Sequence, residues 1–523
     1  MRRLKLNIFF ISAALFNICF AQLSPHKIDS LVKTAMDKFG VVGVAVGVVK
    51  DGKIILAKGY GYKSIESDSP VDEHTNFAIA SISKAFTTTA LALLVEDGKL
   101  SWYTKVVDII PEFTMYNPYV TANFNIQDLV THRSGLGLGA GDLMFFPDST
   151  DFTINDLLKN FRYFKPVSAF RTKYDYDNLL YFVAGEVIAR ISGMSWEEFI
   201  ETHILKPLKM DKSYSNLLQI KDKNNLAVPH STDTGKLKVV KHDTFDPDKI
   251  NGAAGSIISN VEDICHWMLV HLNKGKYGEK LDQQLFSEES QSEMWRIHTV
   301  LPSRRSPRYN SHFNGYGLGW FLSDKRGNMY VSHTGGLSGM LSRISLIPDL
   351  NLGIIILTNT WIEGAFLNGA INLNIVDSYL GLQDSNWVEY YYNISQKYKT
   401  KADSVVTQVW ETVNSTSNDA VNVADYIGIY EDVWFGKTEV FMKGNQLWFK
   451  CFRSPKLNGP MYYYKANTFA IKWLYQDTNC DAFAIFNLDE EGKAQSISMK
   501  GISPNIDFSF DFQDLDLQRV ESK

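Results

Sequence analysis

The chain has 523 residues, 45% of them apolar and 21% charged, with Lys+Arg 53 against Asp+Glu 58 and a net charge of −5. That balance is ordinary for a globular protein and excludes a fibre, a disordered tail and a polytopic membrane protein. It also lacks the basic excess of a nucleic-acid binder.

The first residues read as an export signal. Three cations in Met1–Lys5 precede the apolar run Leu6–Phe20, with Ala21 at the expected cut, so residues 1–21 are assigned to a signal peptide. About 15 apolar residues fall short of the roughly 20 needed to span a bilayer, and no other stretch is apolar enough for a stable membrane span. The expected location is periplasmic or extracellular. Loss of the signal removes three cations and Cys19, leaving Cys265, Cys451 and Cys480. An odd count excludes a dense disulfide framework. The plain reading is three buried thiols; the alternative is a Cys451–Cys480 pair across neighbouring strands. Eleven histidines without HExxH or HxH spacing, and no CxxC, support neither a metal nor another cofactor.

In chain order, Val41–Val49 and Lys53–Tyr62 predict a strand hairpin turning at Asp51–Gly52. Phe77–Ser81 predicts a short strand, and Lys84–Glu96 a helix rich in Ala and Leu that stops at Asp97–Gly98. Leu179–Ile191 and Glu262–Leu272 read as further helices. Tyr330–Ser332 and Leu341–Ile347 read as strands flanking a glycine-rich turn, and Leu352–Leu357 as one more buried strand. Strands at both ends with helices between them predict one mixed α/β unit over residues 22–382. Residues 383–420 read as a connecting helix and linker. Residues 421–523 are strand-rich, with turn signals at Lys443–Asn445 and Glu491–Lys493, and predict an antiparallel barrel or sandwich of seven or eight strands.

A search for a nucleophile finds no G-x-S-x-G elbow. Ser-x-x-Lys occurs three times, at Ser24, Ser30 and Ser81. Only Ser81 opens a strongly apolar helix straight after strands, where a hydroxyl meets free backbone N–H groups. Lys84 follows on the same face one turn later. Tyr176–Asn178 and His333–Gly336 (HTGG) come next in order; a second Tyr-x-Asn, Tyr391–Asn393, falls after HTGG and is out of order.

The ordered set Ser81/Lys84, Tyr176/Asn178 and His333/Thr334/Gly335 resembles the serine β-lactamase and penicillin-binding-protein superfamily. The resemblance is to the branch of class C β-lactamases, D-Ala-D-Ala carboxypeptidases and related esterases. THRSGL (131–136), AAGSIISNVEDICHWM (253–268) and GYGLGW (315–320) match its usual segments in order, and the tail is similar to the lipocalin-like domain found behind this family. The resemblance implies a β-lactamase-like α/β fold followed by a small barrel. It also implies a serine hydrolase working through a Ser81 acyl-enzyme on an ester, amide or D-amino-acid peptide bond. Lys84 or Tyr176 would be the acylation base, Asn178, His333, Thr334 and Gly335 would bind substrate, and the N–H groups of Ser81 and Gly336 would form the oxyanion hole. Acyl transfer to an alcohol, true β-lactamase activity and a silent penicillin-sensing module are the alternatives.

Where the narrow β-lactamase pattern carries Lys, this chain carries His333, so an uncharged substrate is expected. Mildly acidic pH, or His333→Lys, is expected to shift preference toward carboxylates. His132 is read as fixing a loop, and Arg304, Arg305 and Arg308 as a solvated basic loop. The barrel is expected to border the active-site cleft or a subunit contact, which leaves a homo-oligomer open. Its aromatics, among them Tyr462–Tyr464 and Trp448, are expected to fill it. Truncation near residue 415 is expected to leave a folded catalytic unit.

Overall fold

β-Branched residues dominate Gly43–Lys50 and Leu352–Thr358, which pair antiparallel with Ala45 opposite Leu357. They lie inside a nine-stranded antiparallel sheet. Its order is Thr299–Val300, Asn314–Tyr316, Phe321–Lys325, Asn328–Leu337, Met340–Ile347, Leu352–Thr358, Gly43–Lys50, Lys53–Ser64 and Ser67–Pro70. The computed structural model describes residues 22–233, 235–303, 306–416 and 421–520; the expected signal segment with Cys19, and Arg304 and Arg305, lie outside them.

Both faces of this sheet are covered, which is why its central strands are apolar throughout rather than alternating. Val44, Val46 and Val48 point into a core shared with the helices Pro25–Phe39 and Glu363–Tyr379. Ala45 and Val49 point the other way, toward the helix Val261–Leu272 and the helical region. The helix Ser83–Glu96 crosses that second core and is buried nearly all round, with Phe86 stacked 3.9 Å from Trp267. The helix Leu179–Ser192 packs beside it.

The expected glycine-rich turn is not a turn. His333–Gly336 lies inside the strand Asn328–Leu337, and the chain reverses only at Ser338–Gly339. The glycines serve close approach instead: a Cβ on Gly335 would sit 2.2 Å from the Ile79 carbonyl oxygen and 2.4 Å from Ser342 Oγ.

The tail folds into a closed barrel of eight antiparallel strands, Gly428–Asp432 through Asp516–Val520, sealed by Ile429 pairing with Val520. Tyr430, Phe449, Phe469 and Phe486 fill its interior. Strand alternation corrects the expectation for Tyr462–Tyr464. Tyr463 packs inward on Phe469 at 5.7 Å, whereas Tyr462 and Tyr464 face out onto the long helix Trp387–Ser415, with Trp410 5.7 Å from Tyr462. Trp448 also stays outside the filled core, beneath the Lys443 ammonium. Cys265, Cys451 and Cys480 are free, buried thiols. The strands Asn458–Lys465 and Thr468–Ile471 separate Cys451 from the strand following Cys480, so the two cysteines are not neighbours across one ladder.

The barrel is not loosely tethered. One hydrophobic cluster runs from the helical region into it, through Phe146–Phe510 (5.0 Å), Phe164–Trp434 (5.3 Å) and Phe152–Phe435 (5.9 Å). Arg453 adds charged contacts, with Nε 2.6 Å from Asp151 and Nη2 3.0 Å from Asp156. Truncation near residue 415 would therefore uncover this aromatic surface on the catalytic unit.

Candidate active site

Ser81 lies in a single 3₁₀ turn, Ala80–Ile82, that leads into the helix Ser83–Glu96. Ala80 has φ +49°, a left-handed backbone held by its neighbours, and Ser342 Oγ–H donates to the Ile79 carbonyl at 2.7 Å. The other two Ser-x-x-Lys serines have structural partners. Ser24 caps the helix Pro25–Phe39, and Ser30 bonds back to the His26 carbonyl.

One turn beyond Ser81, the fully buried Lys84 places Nζ 3.0 Å from Ser81 Oγ, 2.8 Å from Asn178 Oδ1 and 2.8 Å from the Ala254 carbonyl oxygen. Burial lowers the Lys84 pKa to about 7, against the pull of Asp142 and Asp177. A neutral amine has two N–H bonds and one lone pair. Two carbonyl oxygens claim the hydrogens, which leaves the lone pair for the Ser81 hydroxyl. Tyr176 lines the same cavity as Ser81, and burial pushes its pKa up, so the phenol stays protonated. Tyr391–Asn393, the out-of-order pair, sits in the long helix far along the chain from this cluster, with Asn393 directed to Glu389.

The strand Asn328–Leu337 is longer than its partner. Phe321–Lys325 covers it only as far as Ser332, so residues 333–337 keep one open edge beside the Ser81 turn. That edge borders a cavity of about 470 Å³ lined by Ser81, Tyr176, Asn178 and residues 333–336. His333 is only 2% exposed, and both ring nitrogens have partners: Nδ1–H donates to the Thr334 carbonyl (2.7 Å), and Nε2 accepts from Tyr316 (3.1 Å). Burial first, then the nearby Lys84, lowers its pKa to about 3. A neutral His333 in mild acid runs against the expected pH-dependent shift in preference. His132 is buried, and its Nδ1 accepts the Asp177 N–H at 3.1 Å, holding the loop that carries Tyr176. Arg308 pairs with Asp377 at 2.9 Å through Nε, away from the cavity.

Several residues of the site carry no motif. Asp142 is buried and accepts Asn178 Nδ2–H at 2.8 Å; its carboxyl is pushed well above the carboxylate range by burial. Asp177 is pushed to about 7 by the same cause. Asp177 is the middle residue of the Tyr176–Asn178 motif and Tyr316 belongs to the GYGLGW segment, the two signals among these. Arg343 lines the cavity with its buried Nε unpartnered among the described residues. Asp507, Phe508 and Ser509 reach the cavity from the barrel. No group of three or more His, Cys, Asp or Glu among the described residues is arranged to hold a metal, and no helix there is long and apolar enough to cross a membrane.

Known proteins are similar to this chain over much of its length. The unguisins hydrolase ungD' of Aspergillus campestris is 26% identical over 410 residues, covering 76% of this chain and 74% of that protein. Protein flp of Staphylococcus aureus is 27% identical over 342 residues, 64% of this chain and 63% of that protein. The octameric penicillin-binding protein homologue from Pyrococcus abyssi shares the fold across 95% of this chain and 100% of its own, with a TM-score of 0.60 at 20% identity. Residues 414–519 match a domain of unknown function, DUF3471. Residues 28–373 match the Beta-lactamase family, and the chain belongs to it.

Proposed function

We propose that the protein is an exported serine hydrolase that cleaves an ester, amide or D-amino-acid peptide bond through an acyl-enzyme on Ser81. The observation that carries this reading is the buried, neutral-leaning Lys84 amine 3.0 Å from Ser81 Oγ. Lys84 accepts the Ser81 proton as Oγ attacks the carbonyl carbon, and the developing oxyanion meets the N–H groups of Ser81 and Gly336. Tyr176, a protonated phenol beside Oγ, donates to the departing alkoxide or amine and recovers a proton from Lys84. This geometry favours Lys84 over Tyr176 as acylation base. Water then attacks the ester carbonyl, and the same groups run in reverse. Hydrolysis, rather than transfer to an alcohol, is the reading taken, in keeping with the relative named a hydrolase.

Neutral His333 and the aromatic side chains of the cavity, among them Phe145, Tyr174, Phe245 and Phe508, favour uncharged substrates. A second reading, a β-lactamase or carboxypeptidase, is favoured by one observation: Arg343, opposite Thr334 in the ladder, offers a cation to a carboxylate. Mass spectrometry after a fluorophosphonate tests the core of the proposal, with an adduct on Ser81 expected and its absence favouring a silent binding module. Comparing a p-nitrophenyl ester with a chromogenic cephalosporin separates the two readings. A cephalosporin kcat/KM of roughly 10⁶ M⁻¹s⁻¹, in the range of efficient enzymes, would establish the second.

A further inference from the structure

The Asn178 amide has two ends, and its work depends on which end faces Lys84. Oδ1 accepts from Lys84 Nζ because Nδ2–H is already committed to Asp142 Oδ2 at 2.8 Å. The same Asp142 oxygen accepts Ser509 Oγ–H at 2.8 Å, from a segment 367 positions away in the barrel domain. The turn that carries Asp142 is held from the same segment: Asp511 accepts Gly141 N–H at 2.7 Å and Leu143 N–H at 3.0 Å, one on each carboxylate oxygen. Asp142 and Asp511 are fully buried and Ser509 nearly so. Immediately before Ser509, Phe508 is 38% exposed at the cavity and meets the Tyr176 ring edge to face at 5.8 Å. It also abuts Gly139, whose N–H donates to the Tyr176 carbonyl at 2.8 Å.

We infer that the Asp507–Asp511 segment of the barrel domain completes the hydrolytic site. Ser509 and Asp511 are positioning residues that orient Asn178, through Asp142, so that Lys84 keeps its lone pair on Ser81. Phe508 is the wall that selects the size of the acyl group. The inference rests on the acyl-enzyme reading and adds the substrate-selecting and positioning residues to it. An amide held from only one end is free to turn over, and the turned amide would offer Lys84 a donor where it needs an acceptor.

The test uses the full chain with Ser509→Ala, Ser509→Thr and Phe508→Ala, assayed on p-nitrophenyl acetate and octanoate, with fluorophosphonate labelling of each. Ser509→Ala is expected to lower kcat on both esters by about tenfold or more with KM little changed, the size usual for a lost outer-shell partner. Ser509→Thr, which keeps the hydroxyl, is expected to restore most of it. Phe508→Ala is expected to raise the octanoate-to-acetate ratio of kcat/KM by about tenfold, as removal of a pocket wall does. Unchanged kcat in Ser509→Ala, a change in KM alone, or equal losses in Ser509→Ala and Ser509→Thr would overturn the positioning role. An unchanged ester ratio in Phe508→Ala would overturn the selecting role. Wild type labelled at Ser81 alongside such results sinks this inference and leaves the acyl-enzyme standing, whereas unlabelled wild type sinks both.

Discussion

The two sheets of this protein solve the same problem in opposite ways. The eight-stranded barrel gives every strand two neighbours, so its backbone donors and acceptors are consumed internally. The nine-stranded sheet leaves residues 333–337 half paired, and that open edge borders the cavity at Ser81. An interrupted ladder can serve a substrate; a closed one has no edge to offer. The barrel therefore contributes through a loop, and the one that reaches the cavity lies in its longest connection, residues 502–515, while turns such as Lys443–Gln446 are tight.

The sharpest way to break this comparison is at the nucleophile. Ser81→Ala is expected to cost on the order of 10⁴-fold or more in kcat on p-nitrophenyl acetate, since triad-like sets lose nearly everything with their serine. Retained turnover would move the chemistry away from the open edge. Next comes Gly335→Ala, whose Cβ would press on the Ile79 carbonyl and Ser342. It is expected to push the edge off the Ser81 turn and lower kcat by roughly 10²–10³-fold, the size of a lost oxyanion donor. The same change in the barrel, Gly459→Ala, puts a Cβ 2.1 Å from the Lys472 carbonyl oxygen. There the expected cost is about 1–3 kcal/mol of stability, read as a lower denaturant midpoint, with kcat on p-nitrophenyl acetate intact.

Smaller effects follow from pH. In the proposed mechanism Lys84 serves as base only when neutral, so kcat/KM is expected to rise as pH increases through about 7 and to fall away below it. Asp177 titrates in the same range, so the measured midpoint belongs to the group rather than to one residue. The smallest expected change is none. With the His333 pKa at about 3, the ratio of ester to cephalosporin turnover should stay flat from mildly acidic to neutral pH. A ratio that drifts toward the cephalosporin in mild acid would mean that His333 is charged in the working enzyme.

Local pattern made much of this legible. Gln446–Cys451 carries its strand in plain β-alternation, and Leu179–Ile191 its helix, because a packed face imposes a period on the chain. Ser81, Lys84, Tyr176, Asn178 and His333 are brought together around one cavity because they sit in motifs with characteristic spacing. Two kinds of residue stayed hidden. His333–Gly336 read as a turn because glycine marks both turns and close approaches, and only the three-dimensional neighbour, Ile79, tells them apart. Asp142, Ser509 and Asp511 carry no sequence signal, since their partners lie hundreds of positions away and no local period records such a contact. The burial of His333 was hidden for the same reason: it depends on neighbours such as Tyr316 that HTGG does not record.

The hydrogen bond from Ser509 to Asp142 also sets a clock. A ribosome working at roughly 5–20 residues per second adds Ser509 about 20–70 s after Asp142. Throughout that interval the turn at Gly141–Leu143 has no Asp511 to bond, and Phe146 and Phe164 have no aromatic cover. The nascent hydrolase unit thus carries exposed rings and an unfinished amide relay until the barrel has been synthesised and closed. A chain released early would expose these rings and leave Asp142 without its Ser509 partner. The contact between Asp142 and Ser509 is in this way completed only when almost all of the described chain is in place.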